Sequence, residues 1–211
     1  KWEGKTQSAD SRKYLTGLNN ILMYARNAEV RHFVYISSDC VYEKSYPTAI
    51  GEGVPPAPVS VKGMSVFQGE TMALAFWQAT GMEVSVLRLA DMYFVPLDES
   101  ECRDEYTKLC CDAVMKGHIT ADSKRVRAPL FVGDAVHALF LLISAQERKR
   151  RLYHISAREV ASQYDVAQAI MGALDQTLML ADSSAGSADR VILSGAAFEE
   201  EFDFGARTRF Q

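Results

Sequence analysis

The residues of this chain best suited to chemistry gather around a short β-favouring run, His32-Phe-Val-Tyr-Ile-Ser37, which ends in Ser38, Asp39 and Cys40. In an open α/β sheet, ligands bind beyond the C-terminal ends of the strands, so these side chains are placed to meet one. Ser38 either lines such a pocket or only caps the following turn. Asp39 adds a carboxyl group beside it. Lys62 follows at the start of a helical pattern, with Val66 one turn later. A desolvated amine can act as an acid or base near neutral pH, but Val66 brings no second cation to help depress its pKa, so an exposed or ion-paired Lys62 is the competing reading. Arg127 carries a planar guanidinium, for which one reading is a surface ion pair with Asp122 or Asp134.

Other chemistries find less support. No Gly-x-Ser-x-Gly elbow surrounds Ser38, which argues against a serine hydrolase. His32, His118, His137 and His154 lack partnered Cys or carboxylate spacing, and Glu199-Glu200-Glu201 reads as a solvated face because consecutive carboxylates cannot converge on one ion. No metal site is expected. Cys40, Cys102, Cys110 and Cys111 show no Cys-x-x-Cys pairing, so neither zinc nor a disulfide framework is indicated, and a reducing, cytoplasmic setting is expected. The formal charge of −4 excludes a general polyanion binder, and the basic run Arg148–Arg151 fits a helix C-terminus; no nucleic-acid partner is expected. No apolar run approaches the roughly 20 residues of a membrane span, so no membrane partner is expected either.

The elements that must position these residues follow from pattern. In 211 residues with 48% hydrophobic composition there is enough apolar material for a substantial core. Leu15, Leu18, Leu22 and Ala25 share one face of a helix spanning 8–29. The 32–37 run, without helical spacing, suits a strand buried on both faces. Pro47, Gly51, Gly53, Pro55, Pro56 and Pro58 force a loop. Ser60 then caps a helix to about Thr80 that Gly81 ends, with Phe76 and Trp77 packing in the core. A strand at 83–89, a helix at 100–117 and short strands at 118–121, 130–132 and 152–156 follow. Asp134 is placed to cap an apolar helix to about Gln146, Ser162 opens another in a capping-box pattern, and 182–189 is a surface loop. The alternation predicts an α/β fold with a mostly parallel sheet.

Four segments, in this order, carry a family resemblance: Gly17 to Leu22 leading to Val34-Tyr-Ile-Ser-Ser-Asp-Cys-Val-Tyr42; Pro55 to Glu70, with Ser60, Gly63, Ser65 and Glu70 in register; Val86-Leu-Arg-Leu-Ala-Asp-Met-Tyr93; and Arg127 to Ala138, followed by Tyr153-His-Ile-Ser156. Together they resemble the extended short-chain dehydrogenases/reductases of the NAD-dependent epimerase/dehydratase type, over residues 14–170. The resemblance implies a Rossmann-like, doubly wound sheet lacking its N-terminal strands, with a small C-terminal α/β substrate-binding region. Residues 1–95 correspond to the C-terminal half of the dinucleotide-binding domain, and 96–211 to the substrate-binding region. It further implies NAD or NADP as cofactor and a nucleotide-sugar-type substrate. A homodimer is implied through the 60–80 helix, with Met64, Phe67, Met72, Leu74 and Phe76 as apolar surface.

In the family a Tyr phenol moves the substrate hydroxyl proton, helped by a Lys, while a Ser or Thr holds the substrate oxygen. Carried over, Ser38 matches the Ser/Thr, Lys62 stands at the Tyr position and Val66 at the Lys position. Asp39 and Cys40 fill places that sugar dehydratases use for an acid and a base. The resemblance thus assigns catalytic roles to Ser38, Lys62 and Asp39, cofactor contacts to Ser37, Lys62 and Val66, and substrate contacts to Ser38, Tyr93 and Arg127. The two replacements point to impaired catalysis, or to an inactive homologue serving as a binding or assembly module. No Gly-x-Gly-x-x-Gly turn appears, so a missing N-terminal segment or companion chain is expected to supply the pyrophosphate-binding half.

Overall fold

A computed structural model describes residues 4–95, 104–174, 178–184 and 187–206. Helix α1, Gly4–Asn27, leads into strand β1, His32–Ser38, and a 3-10 turn at Asp39–Val41. After the proline-rich loop come α2, Val61–Thr80, and β2, Glu83–Leu89. A two-residue strand, β3 at Met92–Tyr93, precedes α3, Glu105–Lys116, and β4, His118–Ala121. Strands β5, Arg125–Arg127, and β6, Leu130–Phe131, feed α4, Val132–Ser144. The chain continues with β7, Leu152–Ile155; β8, Ala161–Ser162; α5, Gln163–Leu174; β9, Met179–Asp182; β10, Asp189–Arg190; and α6, Ala196–Phe202.

The main sheet has the order β1-β2-β7, all parallel, with His32 opposite Glu83 and Val86 opposite Leu152. In strand β2 every residue after Glu83 is buried. Val84 and Val86 face α1 and α2, where they join Leu18, Leu22, Ala25 and Ala73, whereas Leu87 and Leu89 face Ala138 and Leu142 of α4. The expectation of a strand buried on both faces fails for β1; it is β2 that is covered on both. Among the described residues β1 pairs only with β2, and its Ile36 stays 45% exposed. An outer strand has covering neighbours on one side only.

The helix boundaries follow local chemistry. The Ser60 hydroxyl accepts from Gly63 N at 3.0 Å, and Gly81, at φ 75°, closes the far end by donating to Trp77 O. Ser162 and Asp165 form the reciprocal box at the start of α5. Asp134 does not cap α4: the helix starts at Val132 with no side-chain cap, and Asp134 lies buried in its first turn, where a carboxylate favours the dipole. The 100–117 helix is seen from Glu105, Ser100 to Arg103 lying outside the described residues.

The basic run follows the end of α4 rather than forming it. Arg148 turns back to donate to the carbonyls of Leu142, Ile143 and Ala145, and Arg151 stacks 3.8 Å over the Trp77 ring. Of the apolar residues on α2, Met64 remains exposed, while Phe67, Met72, Leu74 and Phe76 pack against the cores. The cysteine expectation is corrected: Cys111 is disulfide-bonded, while Cys40 and Cys110 are free. Successive helical residues point about 100° apart, so adjacent cysteines can have separate fates. The reducing setting inferred from unpaired thiols loses that support.

The remaining strands form a smaller assembly beyond the C-terminal end of the main sheet. β10-β5-β8 is one sheet, β3 pairs with β6, and β4 with β9. Tyr106, Leu109, Ala113, Ile119, Val166 and Ala167 make its separate core. Strand β7 returns the chain to the main sheet, and Phe198 of α6 packs edge-on against Tyr153 there. Among the described residues no helix is long and apolar enough to cross a membrane.

Candidate active site

The site begins where β1 ends. Ser38 both caps and lines: its Oγ accepts from Cys40 N at 3.2 Å, opening the 3-10 turn, and donates to Asp39 Oδ1 at 2.9 Å. The two readings of Ser38 are therefore not alternatives. Asp39 is buried, and its carboxyl is pushed up to about 6, first by burial and then by the neighbouring Asp91 charge; Ser38, Arg127 and Arg125 act in the opposite sense. Helix α2 is pressed onto this turn. A Cβ on Gly63 would collide with the Cys40 carbonyl oxygen, so glycine is what lets the two backbones approach. Glu43 locks the same junction by accepting from the main-chain N–H groups of Val59 and Ser60.

This packing sets Lys62 beside Ser38, exposed and in the first turn of α2, where the helix dipole disfavours a cation. Two cavities meet there. The first, about 440 Å³, is lined by Ser38, Asp39, Lys62, Asp91, Arg125 and Arg127 among others. The second, about 620 Å³, runs over the ends of β1 and β2 past Ser37, Ser38, Lys62, Val66, Leu89 and Ala90. Ser38, Lys62, Asp91 and Arg125 belong to both. The structure thus brings together Ser37, Ser38, Asp39, Lys62, Val66 and Arg127. Tyr93 is outside both linings and packs on Phe131 at 5.5 Å between ring centres, although Met92 and Phe94 on either side of it line the second cavity.

Arg127 is in an ion pair, with partners other than the expected Asp122 and Asp134. Its Nη2 donates to both carboxylate oxygens of Asp189, at 2.9 and 2.8 Å, and its Nε lies 3.5 Å from Asp91. Arg125 binds the same Asp189 at 2.9 Å, Asp91 at 3.1 Å and Glu105 at 2.6 Å. The sequence reading passed over Arg125, Asp91 and Asp189; the only signal available was the alternation that puts Arg125 and Arg127 on the same side of β5.

Beneath the cavities runs a second network that sequence reasoning missed. Glu70 and Arg88, both almost fully buried, form a two-pronged pair at 2.8 and 2.6 Å. Ser37 donates to Glu70, Arg88 donates to Tyr42 Oη at 2.5 Å, and His154 Nε2 sits 3.3 Å from that oxygen. His154 Nδ1 lies 2.9 Å from Ile50 O, which fixes it as the donor nitrogen and leaves Nε2 as acceptor. Burial and the Arg88 charge lower His154 to about 4. The chain of groups ties β1, α2, β2 and β7 together under Ser37. Among the described residues no cluster of His, Cys, Asp or Glu is arranged to hold a metal.

The family model described as RmlD substrate binding domain matches residues 5–188. The chain belongs to this family. It is thereby an extended short-chain dehydrogenase/reductase of the NAD-dependent epimerase/dehydratase type, and the Rossmann-like α/β fold expected of such a protein is the one observed. It is similar to a dTDP-glucose 4,6-dehydratase of an Actinoplanes species, at 26% identity over 162 residues, covering 75% of this chain and 49% of that protein. The chain spans about half the length of that curated relative. Among solved structures, the UDP-glucuronic acid 4-epimerase of Bacillus cereus in complex with NAD matches at TM-score 0.85 and 15% identity, over 100% of this chain and 67% of that one. The dTDP-4-dehydrorhamnose reductase of Bacillus anthracis in complex with NADP matches at TM-score 0.72 and 18% identity, over 92% and 67%. This epimerase/dehydratase-family chain is thus homologous to nucleotide-sugar epimerases, dehydratases and reductases.

Proposed function

We propose that the chain binds a nucleotide-sugar-type ligand in the first cavity and the nicotinamide end of NAD or NADP in the second, with oxidation–reduction turnover impaired. The observation that carries this is the pair of side chains at the junction: Lys62 and Val66 stand in the second cavity where a phenol and an ammonium would have to cooperate. Hydride leaves a carbinol carbon only if its hydroxyl proton is taken up in the same event, and that needs a positioned base. Three buried phenols lie around the motif: Tyr106 lines the second cavity, Tyr42 lines the first, and Tyr35 packs against the main chain of Val66. Tyr35 donates to Val66 O and contacts Tyr14, and Tyr42 is held by Arg88 and donates to Val54 O, so these two are committed elsewhere, while Tyr106 enters from α3 and not from the motif helix.

The lining suits the cofactor's reactive end in kind. Leu89, Ala90 and Val66 offer apolar contact to a nicotinamide ring, while the Ser38 hydroxyl and the Lys62 amine offer polar contact to its ribose. Bound there, the group would supply the hydride acceptor. Val66, lacking a donor, holds no ribose hydroxyl. Ser38 and Asp39 keep a hydrogen-bonded hydroxyl and carboxyl in the first cavity, which orients a sugar hydroxyl without by itself oxidising it. Among the described residues the outer edge of β1 has no strand beside it, which fits docking of a further βα unit that carries the pyrophosphate site.

Calorimetric titration of NAD⁺ and NADP⁺, followed by dTDP-glucose with and without cofactor, tests the reading. Binding without appearance of reduced cofactor is expected, and the Lys62→Tyr/Val66→Lys variant should gain hydride exchange. Turnover by the unaltered chain would refute the impairment. Absence of nucleotide-sugar binding would refute the ligand assignment.

A further inference from the structure

Two guanidinium groups reach the first cavity from β5, and the acceptor that occupies them comes from the chain itself. Asp189 Oδ2 accepts from Arg125 at 2.9 Å and from Arg127 at 2.8 Å; Oδ1 accepts from Arg127 at 2.9 Å, and the Asp189 main-chain carbonyl accepts from Arg127 Nη1 at 2.8 Å. The two sides of this contact are unequal. The Arg127 side chain is 8% exposed and also donates to Val126 O, whereas the Asp189 side chain is 45% exposed. Asp189 belongs to a two-residue strand at the outer position of β10-β5-β8. The cation is the anchored partner and the carboxylate the solvent-facing one.

A carboxylate in such a fork presents the same pair of acceptor oxygens as a phosphate. Emptying the fork outright would leave a buried cation uncompensated, which is strongly unfavourable, but exchanging one anion for another avoids that state. The local charge balance also matters. Arg125 and Arg127 face Asp91, Asp189 and Glu105, so the ring of carboxylates opposes an incoming anion until one of them leaves. Asp189 is the one whose departure costs least burial, because Arg125 still holds Asp91 and Glu105.

We infer that Asp189 is an internal competitor for the ligand's phosphate groups: a diphosphate engages Arg125 and Arg127 when the Asp189 side chain rotates out of the fork toward solvent. The inference rests on reading the first cavity as the nucleotide-sugar site, and it adds a gate to that site. Burial alone would raise the Asp189 carboxyl, yet the hydrogen bonds and charges of Arg127 and Arg125 outweigh it and hold the group below the ordinary carboxylate range, so it competes as an anion at neutral pH.

The test is titration of the intact chain with inorganic pyrophosphate and, separately, with dTDP-glucose, comparing the parent with Asp189→Asn and Asp189→Glu. Asparagine removes the charge but keeps the size; it should tighten pyrophosphate binding by about tenfold or more. Glutamate restores the competitor and should bring affinity back toward the parent's. Adding Arg127→Gln to Asp189→Asn should abolish the gain, and circular dichroism confirms that each variant is folded. Equal or weaker pyrophosphate binding by folded Asp189→Asn, or no binding by any form, overturns the gate. A pyrophosphate gain with no dTDP-glucose binding leaves the gate standing and removes the nucleotide-sugar reading. Equal dTDP-glucose binding by all forms, with no pyrophosphate gain, does the reverse.

Discussion

Removing Arg88 while leaving Glu70 in place should cost far more than any surface substitution. Glu70 and Arg88 have side chains only 2% and 4% exposed and share two charged hydrogen bonds of 2.8 and 2.6 Å. Arg88→Met strips both bonds from a carboxylate that water cannot reach, and also takes a donor from Tyr42. Loss of one partner of a buried pair costs about 3–5 kcal/mol. Glu70→Leu should cost a similar amount by orphaning the guanidinium. The double variant Glu70→Leu/Arg88→Met removes both charges together, and apolar replacements of similar volume at a buried pair are often neutral. Its loss should therefore fall well short of the sum of the singles, giving a coupling of at least about 2 kcal/mol. Urea unfolding followed by circular dichroism measures each corner of the cycle. Single losses below about 1 kcal/mol, or an additive double variant, would show that the pair is hydrated or dispensable and would refute this account.

Other outcomes follow from the titrating groups and the close contacts. The Asp39 carboxyl sits at about 6, above its unfolded value, so its contribution to stability is fully present below the unfolded pKa and disappears as pH rises through about 6. Thermal unfolding of Asp39→Asn against pH should lack that decline, and an unchanged profile would remove Asp39 as its source. His154, lowered to about 4, behaves in the opposite sense: stability present above its unfolded pKa is lost as pH falls through about 4. Its imidazole NMR resonances should show a neutral ring at pH 5.5 (roughly midway between the free and buried values), and a protonated ring there would contradict the buried network. Gly63→Ala forces a methyl group against the Cys40 carbonyl, so the variant should lose about 1–3 kcal/mol in urea and bind dTDP-glucose more weakly; parent-like stability would mean that α2 and the turn are not tightly docked.

How far the sequence could be read depends on how local the cause is. Ser60 and Gly81 bracket α2 through contacts within their own neighbourhoods, and Ser162 opens α5 in the same way. Asp134 misled because a carboxylate two residues inside a helix and one at its cap look alike when the start is judged from periodicity alone. β3, β6, β8 and β10 have two residues each, too short to show any alternation. The motif residues Ser37, Ser38, Asp39, Lys62 and Val66 could be named together because the order of the family's segments carries their placement, and they line the two adjoining cavities. Asp189 was not, since it ends a stretch that reads as surface loop and gains its meaning only from Arg125 and Arg127, more than sixty residues earlier. The sequence offers His154 no partner at close spacing; its place in a chain of polar groups comes from Tyr42 and Arg88, more than sixty residues away.

The Arg151 guanidinium over the Trp77 ring gives the molecule a built-in optical probe. Trp77 lies on α2, the helix that carries Lys62 and Val66, while Arg151 immediately precedes β7, so the stack spans the seam between the motif helix and the third strand of the main sheet. Trp2 is the chain's other tryptophan, and a Trp2→Phe background leaves a single emitter. A cation held against an indole face changes its emission, and local opening releases that influence before global unfolding does. Fluorescence of Trp77 therefore reports separation of α2 from the sheet without any added label.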